Sequence, residues 1–237
     1  MTSSGNPMTG TNACLIRNAQ HVLTGLRGVE ARHAGPDIRV QAGRIVAMGA
    51  LQPLPGETLI DARDCVVYPA WINTHHHLFQ SLLKGEPQGL NQSLTSWLAA
   101  TPYRFRGAFD EHSFRLAARI GLIELLRSGC ATVADHHYLY YPGMPYDSAA
   151  ILFEEAQALG MRFVLCRGGA TQTRQLEADL PQALRAEKLD DYLADVERLT
   201  GLYHGPAPDA FGRVDMAPIT ALHSTAAGEV REEERVA

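Results

Sequence analysis

Beyond Asp64 the chain alternates between two kinds of segment, and that alternation restricts its fold more than any other feature. "CVVYPAWINTH" (65–75) is a continuous apolar run, as expected of a strand buried on both faces. "DEHSFRLAARIGLIELLRSGC" (110–130) instead carries Phe114, Ala117, Ala118, Gly121, Leu122 and Leu125 at helical spacing. Asp110 serves as its N-cap and Gly129 as its stop. A second buried strand follows at 131–137, a helix at 147–160 and a third strand at 161–168. A long polar connection then leads to a helix at 189–204 and a fourth strand at 213–222. Strand and helix in this order argue for parallel β/α units.

Four strands leave two architectures open. Roughly 170 residues follow the β-rich N-terminal part, against about 250 for a closed (β/α)8 barrel. A small open sheet could be complete with four strands, but no glycine-rich phosphate loop follows the first one. Half of a barrel is the other reading.

The N-terminal part differs in kind. Residues 1–11 are small and polar and are expected to be disordered. From 12 to 64 short β-rich runs are separated by turns, with "IRVQAGRIVAMGA" (38–50) reading as a hairpin around Ala42 and Gly43. "PLPG" (53–56) punctuates its end. The composition, 46% hydrophobic and 20% charged with a net charge of −5, fits a globular protein and offers no basic patch for nucleic acid. No apolar run approaches a membrane span and no signal peptide is visible. Four scattered cysteines without a C-x-x-C pair suggest a reducing compartment, so the expected location is cytoplasmic.

The chemistry concentrates where the first strand ends. In "NTHHHL" (73–78), His75 and His77 stand at i and i+2, so both imidazoles can face one point, while His76 points away. Neutral imidazole is a ligand for zinc and iron, and two of them make half of a tetrahedral site. By spacing alone a pair of hydrogen-bonded surface histidines is an equal alternative.

"VVYPAWINTHHHL" (66–78) resembles the first-strand signature of the amidohydrolase superfamily, P-G-[FLW]-[IV]-[DN]-x-H-x-H, through Pro69, Ile72, Asn73, His75 and His77. Ala70 stands where glycine is usual. "GRIVAMG" (43–49) and "IDARDCVVYPAWI" (60–72) agree with it. "NTHHHLFQSLLKGEP", "TSWL" and "SGCATVADHHYL" look most like the branch containing 8-oxoguanine deaminase, isoxanthopterin deaminase and the s-triazine hydrolases.

The resemblance implies an α/β fold: a small N-terminal β-sandwich portion (12–64), then about four β/α units of a (β/α)8 TIM-type barrel (65–237). It implies one divalent metal, zinc or iron, held by His75 and His77. A water activated by that metal attacks the amino-bearing carbon of a small heterocycle, and ammonia leaves. Gln80 matches the glutamine with which guanine deaminases read the ring edge; a solvated loop residue is the alternative. Trp97 can wall the substrate cavity, although a lone aromatic on a short helix is more often core. His136 and His223 are further candidates to line the cavity, as is Arg167, while Cys130 and Cys166 read as packing residues.

In the superfamily the other ligands are a histidine after strand five and an aspartate after strand eight. The catalytic glutamate also follows strand five. "MAPITALHSTAAGE" (216–229) matches the strand-four segment, so His223 and Glu229 are not that pair, and the acid/base residues are expected beyond the C-terminus. The chain thus reads as the N-terminal half of a deaminase, inactive by itself and associating with itself or with a completing chain through the open barrel edge. The rival reading is a non-catalytic half-barrel that serves as an interaction or regulatory subunit.

Overall fold

The computed structural model describes residues 13–28, 34–172 and 181–218. The chain divides into two units, with the division between Pro69 and Ala70. The expected disordered segment 1–11, His223 and the acidic end lie outside the described residues.

The first unit is made of β1 (Ala13–Arg17), β2 (His21–Val22), β3 (Asp37–Gln41), β4 (Arg44–Gly49), β5 (Thr58–Asp61) and β6 (Val66–Val67). One sheet has the order β4-β3-β1-β5, and β2 pairs with β6 in a second. The hairpin expected at Ala42 and Gly43 forms, joining β3 to β4 antiparallel. Both turn residues have positive φ, 48° and 76°, which suits the right-handed twist of the strands. Ala19, Val22, Ile38 and Ala62 close the small core. The boundary read from composition at 64/65 moves to 69/70, because Val66 and Val67 pair with His21 and Val22.

The second unit carries β7 (Trp71–His76), α1 (Leu94–Leu98), α2 (Glu111–Arg127), β8 (Cys130–His137), α3 (Ser148–Leu159), β9 (Arg162–Arg167), α4 (Leu189–Tyr203) and β10 (Gly212–Met216). Its sheet is entirely parallel, β10-β9-β8-β7, so all four strands end on one side. Asp110 caps α2 by accepting the Ser113 N–H, and Asp147 caps α3 by accepting the Ala150 N–H. Gly160 ends α3 at φ 70°, a left-handed turn that glycine adopts without cost. Phe114, Leu122, Val133, Leu152, Phe163 and Leu165 form the centre of the core.

Two strands depart from expectation. The run 65–75 is not one doubly buried strand but β6 and β7, interrupted at Pro69, which has no N–H for a ladder. Among the described residues β7 pairs only with β8, so Trp71 and Ile72 remain 58% and 68% exposed. The fourth strand, expected over 213–222, spans Gly212–Met216, with Ala217 and Pro218 outside it and 219–222 outside the described residues. Among the described residues no helix is long and apolar enough to cross a membrane.

Candidate functional site

Strand β7 delivers its histidines to the side of the sheet where all four strands end. His75 lies within the strand. His77 is the residue at which the backbone turns, and a 3-10 turn over Leu78–Leu83 follows it. The two rings converge as their spacing predicts, with centroids 4.9 Å apart and planes at 84°. His136, at the end of β8, brings a third ring 4.1 Å from that of His75. His76 turns away toward α2. There its Nδ1 is buried without a hydrogen-bond partner among the described residues.

Hydrogen bonds to backbone carbonyls decide which nitrogens are available. His77 Nδ1 lies 2.7 Å from the carbonyl oxygen of His136. A carbonyl can only accept, so Nδ1 carries the proton and Nε2 keeps its lone pair. His136 Nε2 likewise donates to the Thr74 carbonyl at 3.3 Å, which leaves its Nδ1 free. Burial lowers the pKa of both imidazoles below the usual histidine value, so both are neutral at pH 7. A neutral ring oriented by a carbonyl on its far nitrogen is the form in which histidine binds a metal.

Strand β8 supports this arrangement twice. Besides the carbonyl of His136, it supplies the carboxylate of Asp135, which accepts the Leu78 N–H at 2.8 Å. Asp135 is fully buried, and burial pushes its pKa up to about 7.

The three rings border a cavity of 450 Å³ whose walls include Gln80, Trp97 and Tyr138. Gln80 Nε2 donates to the Tyr138 hydroxyl at 2.7 Å. The Tyr138 ring stands edge-on to His77 and to Phe79, each at 5.1 Å. A buried Arg106 donates from Nη2 to the carbonyl of Tyr138 at 2.9 Å, and also to that of Tyr140. The candidates Gln80, Trp97 and His136 are therefore gathered around His75 and His77, whereas His223 lies outside the described residues. Sequence reasoning missed Asp135, Tyr138 and Arg106. An acid inside the apolar strand "ATVADHH" was the one local signal for Asp135.

Arg167 has a different place. It is fully buried, donates to Glu187 through both Nη atoms (2.8 and 2.7 Å) and to Asp195 at 3.0 Å, and packs over the Tyr140 ring at 3.5 Å. Its donors are committed within the protein, so it braces the loop after β9. Cys130 and Cys166 are buried packing residues, as read from the sequence.

Residues 66–234 match the Amidohydrolase family. The chain belongs to the amidohydrolases. Among amidohydrolases it is 68% identical, over 94% of its length, to an isoxanthopterin deaminase from an unknown prokaryotic organism, covering 47% of that protein. It is 35% identical to the 8-oxoguanine deaminase of Pseudomonas aeruginosa, over 89% of this chain and 46% of the relative. A crystal structure of an amidohydrolase from an environmental sample of the Sargasso Sea superposes with a TM-score of 0.83 at 62% identity, over 94% of this chain and 50% of that one. An atrazine chlorohydrolase from Arthrobacter aurescens TC1, complexed with zinc, gives a TM-score of 0.77 at 28% identity, over 90% and 48%. The chain thus spans about half the length of the relatives it matches, and these amidohydrolase neighbours imply an α/β fold of TIM-barrel type.

Proposed function

We propose that this amidohydrolase chain supplies the first two metal ligands and one wall of the substrate cavity of a deaminase acting on an amino-substituted heterocycle, with isoxanthopterin as the substrate. One observation carries the reading: His77 Nδ1 is engaged by the His136 carbonyl, which leaves Nε2 its lone pair, on a ring 4.9 Å from that of His75 at the edge of a cavity that also contains Gln80. The identity of 68% to an isoxanthopterin deaminase supports this heterocycle over 8-oxoguanine or an s-triazine.

The residues present fit a divalent ion. Two neutral imidazoles at strand ends are ligands for zinc or iron. Such an ion would supply Lewis acidity, bringing the pKa of a water near neutrality. Gln80 orients the ring through its carboxamide, and Trp97 and Tyr138 bound the cavity with aromatic surface that excludes water. A catalytic zinc site takes three protein ligands and an open position. Among the described residues no group of three His, Cys, Asp or Glu is placed to hold an ion. The remaining ligand and the acid/base group accordingly come from protein outside the described residues. A completing chain or a second copy would reach the site through the edges of β7 and β10. Four free thiols support a reducing, cytoplasmic setting.

Metal content and ammonia release test this reading together. The chain, alone and with the polypeptide that completes the barrel, is measured for bound zinc or iron and for turnover of isoxanthopterin. Stoichiometric metal and turnover in the completed assembly are expected, and neither in the chain alone. A completed assembly that binds no metal would instead leave a half-barrel that acts only as an interaction subunit.

A further inference from the structure

We propose that Asp135 is a positioning residue for the metal site, its carboxyl group reaching from β8 to fix the turn on which His77 is presented. The inference rests on the deaminase reading above and deepens it, because it names a residue that sets metal affinity without touching the ion.

His77 stands where the chain leaves β7. Its backbone, at φ −137° and ψ 83°, fits neither the strand behind it nor the 3-10 turn ahead. The residue at the start of a helical turn commonly satisfies the first free N–H groups with its own side-chain oxygen. His77 makes no such bond. Its imidazole is turned instead toward the His75 ring, with Nδ1 on the His136 carbonyl.

Asp135 supplies the missing acceptor from another strand. It pairs with His76, the last residue of β7, and this place brings its Oδ1 within 2.8 Å of the Leu78 N–H. Consecutive residues of β8 therefore hold His77 from two directions. The carbonyl of His136 sets the ring, and the carboxyl of Asp135 sets the backbone just beyond it. The ladder alone cannot do this, since the β7–β8 register shifts between Asn73 and His76. Nor does Asp135 look like a group kept for stability. It is fully buried, and its Oδ2 has no hydrogen-bond partner among the described residues. A buried carboxyl so poorly satisfied is costly, and the geometry it fixes accounts for its presence.

The test measures the zinc affinity of the completed assembly by equilibrium dialysis, with a urea melt of each variant beside it. Asp135→Ala removes the acceptor and should weaken zinc binding by about 10- to 100-fold, the range for losing a partner that orients a ligand. Asp135→Asn keeps an oxygen for the Leu78 N–H and should bind zinc nearly as tightly as the wild type. Asp110→Ala, which removes the N-cap of α2, is the stability control. It should lower the urea midpoint and leave zinc affinity unchanged. If Asp135→Ala does not fold, Asp135→Val places an apolar side chain that strands favour at the same position and makes the same comparison. Wild-type zinc affinity in the Ala or Val variant overturns this inference alone, as does an Asn variant equally weakened. An equal loss in Asp110→Ala also overturns it, because the effect is then one of stability. A wild-type assembly that binds no zinc overturns the metal reading and this inference with it.

Discussion

The carboxylate of Asp135 accepts the amide N–H of Leu78 at 2.8 Å, although 57 residues separate them, and so ties β8 to the residue that follows His77. The group is fully buried, and burial holds its pKa at about 7 against the lowering effect of the Leu78 bond. In an unfolded chain the same carboxyl titrates near pH ~3.9. The folded state therefore binds this proton more tightly. The stability it contributes is full below about pH 4, is lost as the pH rises toward about 7, and changes no further above that. Asp135→Asn keeps an acceptor for Leu78 and should flatten this part of the pH profile. Asp135→Ala strands a buried N–H and should cost about 1–3 kcal/mol. Urea melts between pH 4 and 8 measure both, and an Asn variant with the wild-type slope would refute the assignment.

Gly121 lies on the face of α2 that meets the 3-10 turn after His77. A Cβ there would stand 2.6 Å from Ser81 Oγ and 2.7 Å from Leu78 Cδ2. Alanine normally favours a helix over glycine by about 1 kcal/mol. Here the overlap should reverse the sign, since overpacking costs typically 1–3 kcal/mol. A lower Tm for Gly121→Ala is expected. A higher one would mean that α2 can move away from the turn.

Local patterns exposed much of this. The period-2 placement of His75 and His77, the helical spacing of Phe114 to Leu125 and the cap at Asp110 are relations between neighbours along the chain, and the structure keeps them. What stayed hidden depends on which strand lies beside which. The Asp135–Leu78, His77–His136 and Gln80–Tyr138 contacts each join residues more than fifty positions apart, across the β7–β8 pairing. "ADHHYL" (134–139) drew attention to its histidines, because imidazole has obvious chemistry. The flanking Asp135 and Tyr138 act only through what faces them. The break at Pro69 was legible in principle, since proline interrupts a ladder, but the apolar run masked it.

Arg167 marks the difference between a buried ion network and a binding site. Its guanidinium reaches Glu187 and Asp195 while lying between the rings of Tyr140 and Tyr192 at 3.5 and 4.8 Å. Arg167→Ala would take from Glu187 the guanidinium it pairs with, while Asp195 keeps Arg198 at 2.8 Å, and breaking a buried pair this way costs about 3–5 kcal/mol. Arg167→Lys keeps the charge but loses the two-pronged bond and most of the stacking, so it should recover only part of the loss. Denaturant titration orders the three proteins. A lysine variant as stable as wild type would show that charge alone matters.

Metal retention separates the roles of His77 and His136. His77→Ala removes a ring whose Nε2 is left free by the carbonyl of His136, and should weaken zinc binding by more than about 100-fold, beyond the 10- to 100-fold that losing an outer partner causes. His136→Ala retains that carbonyl, so it should leave zinc affinity nearly unchanged while altering heterocycle binding. Protons compete with zinc only below the imidazole pKa. Burial lowers that of His77 below the usual 6.5, so zinc held at pH 7 should persist at pH 6.5 and be released only in more acidic buffer. Equilibrium dialysis of the completed assembly against zinc across this range reads all three effects. Equal losses in His77→Ala and His136→Ala would mean that the His136 ring, not its carbonyl, carries the site.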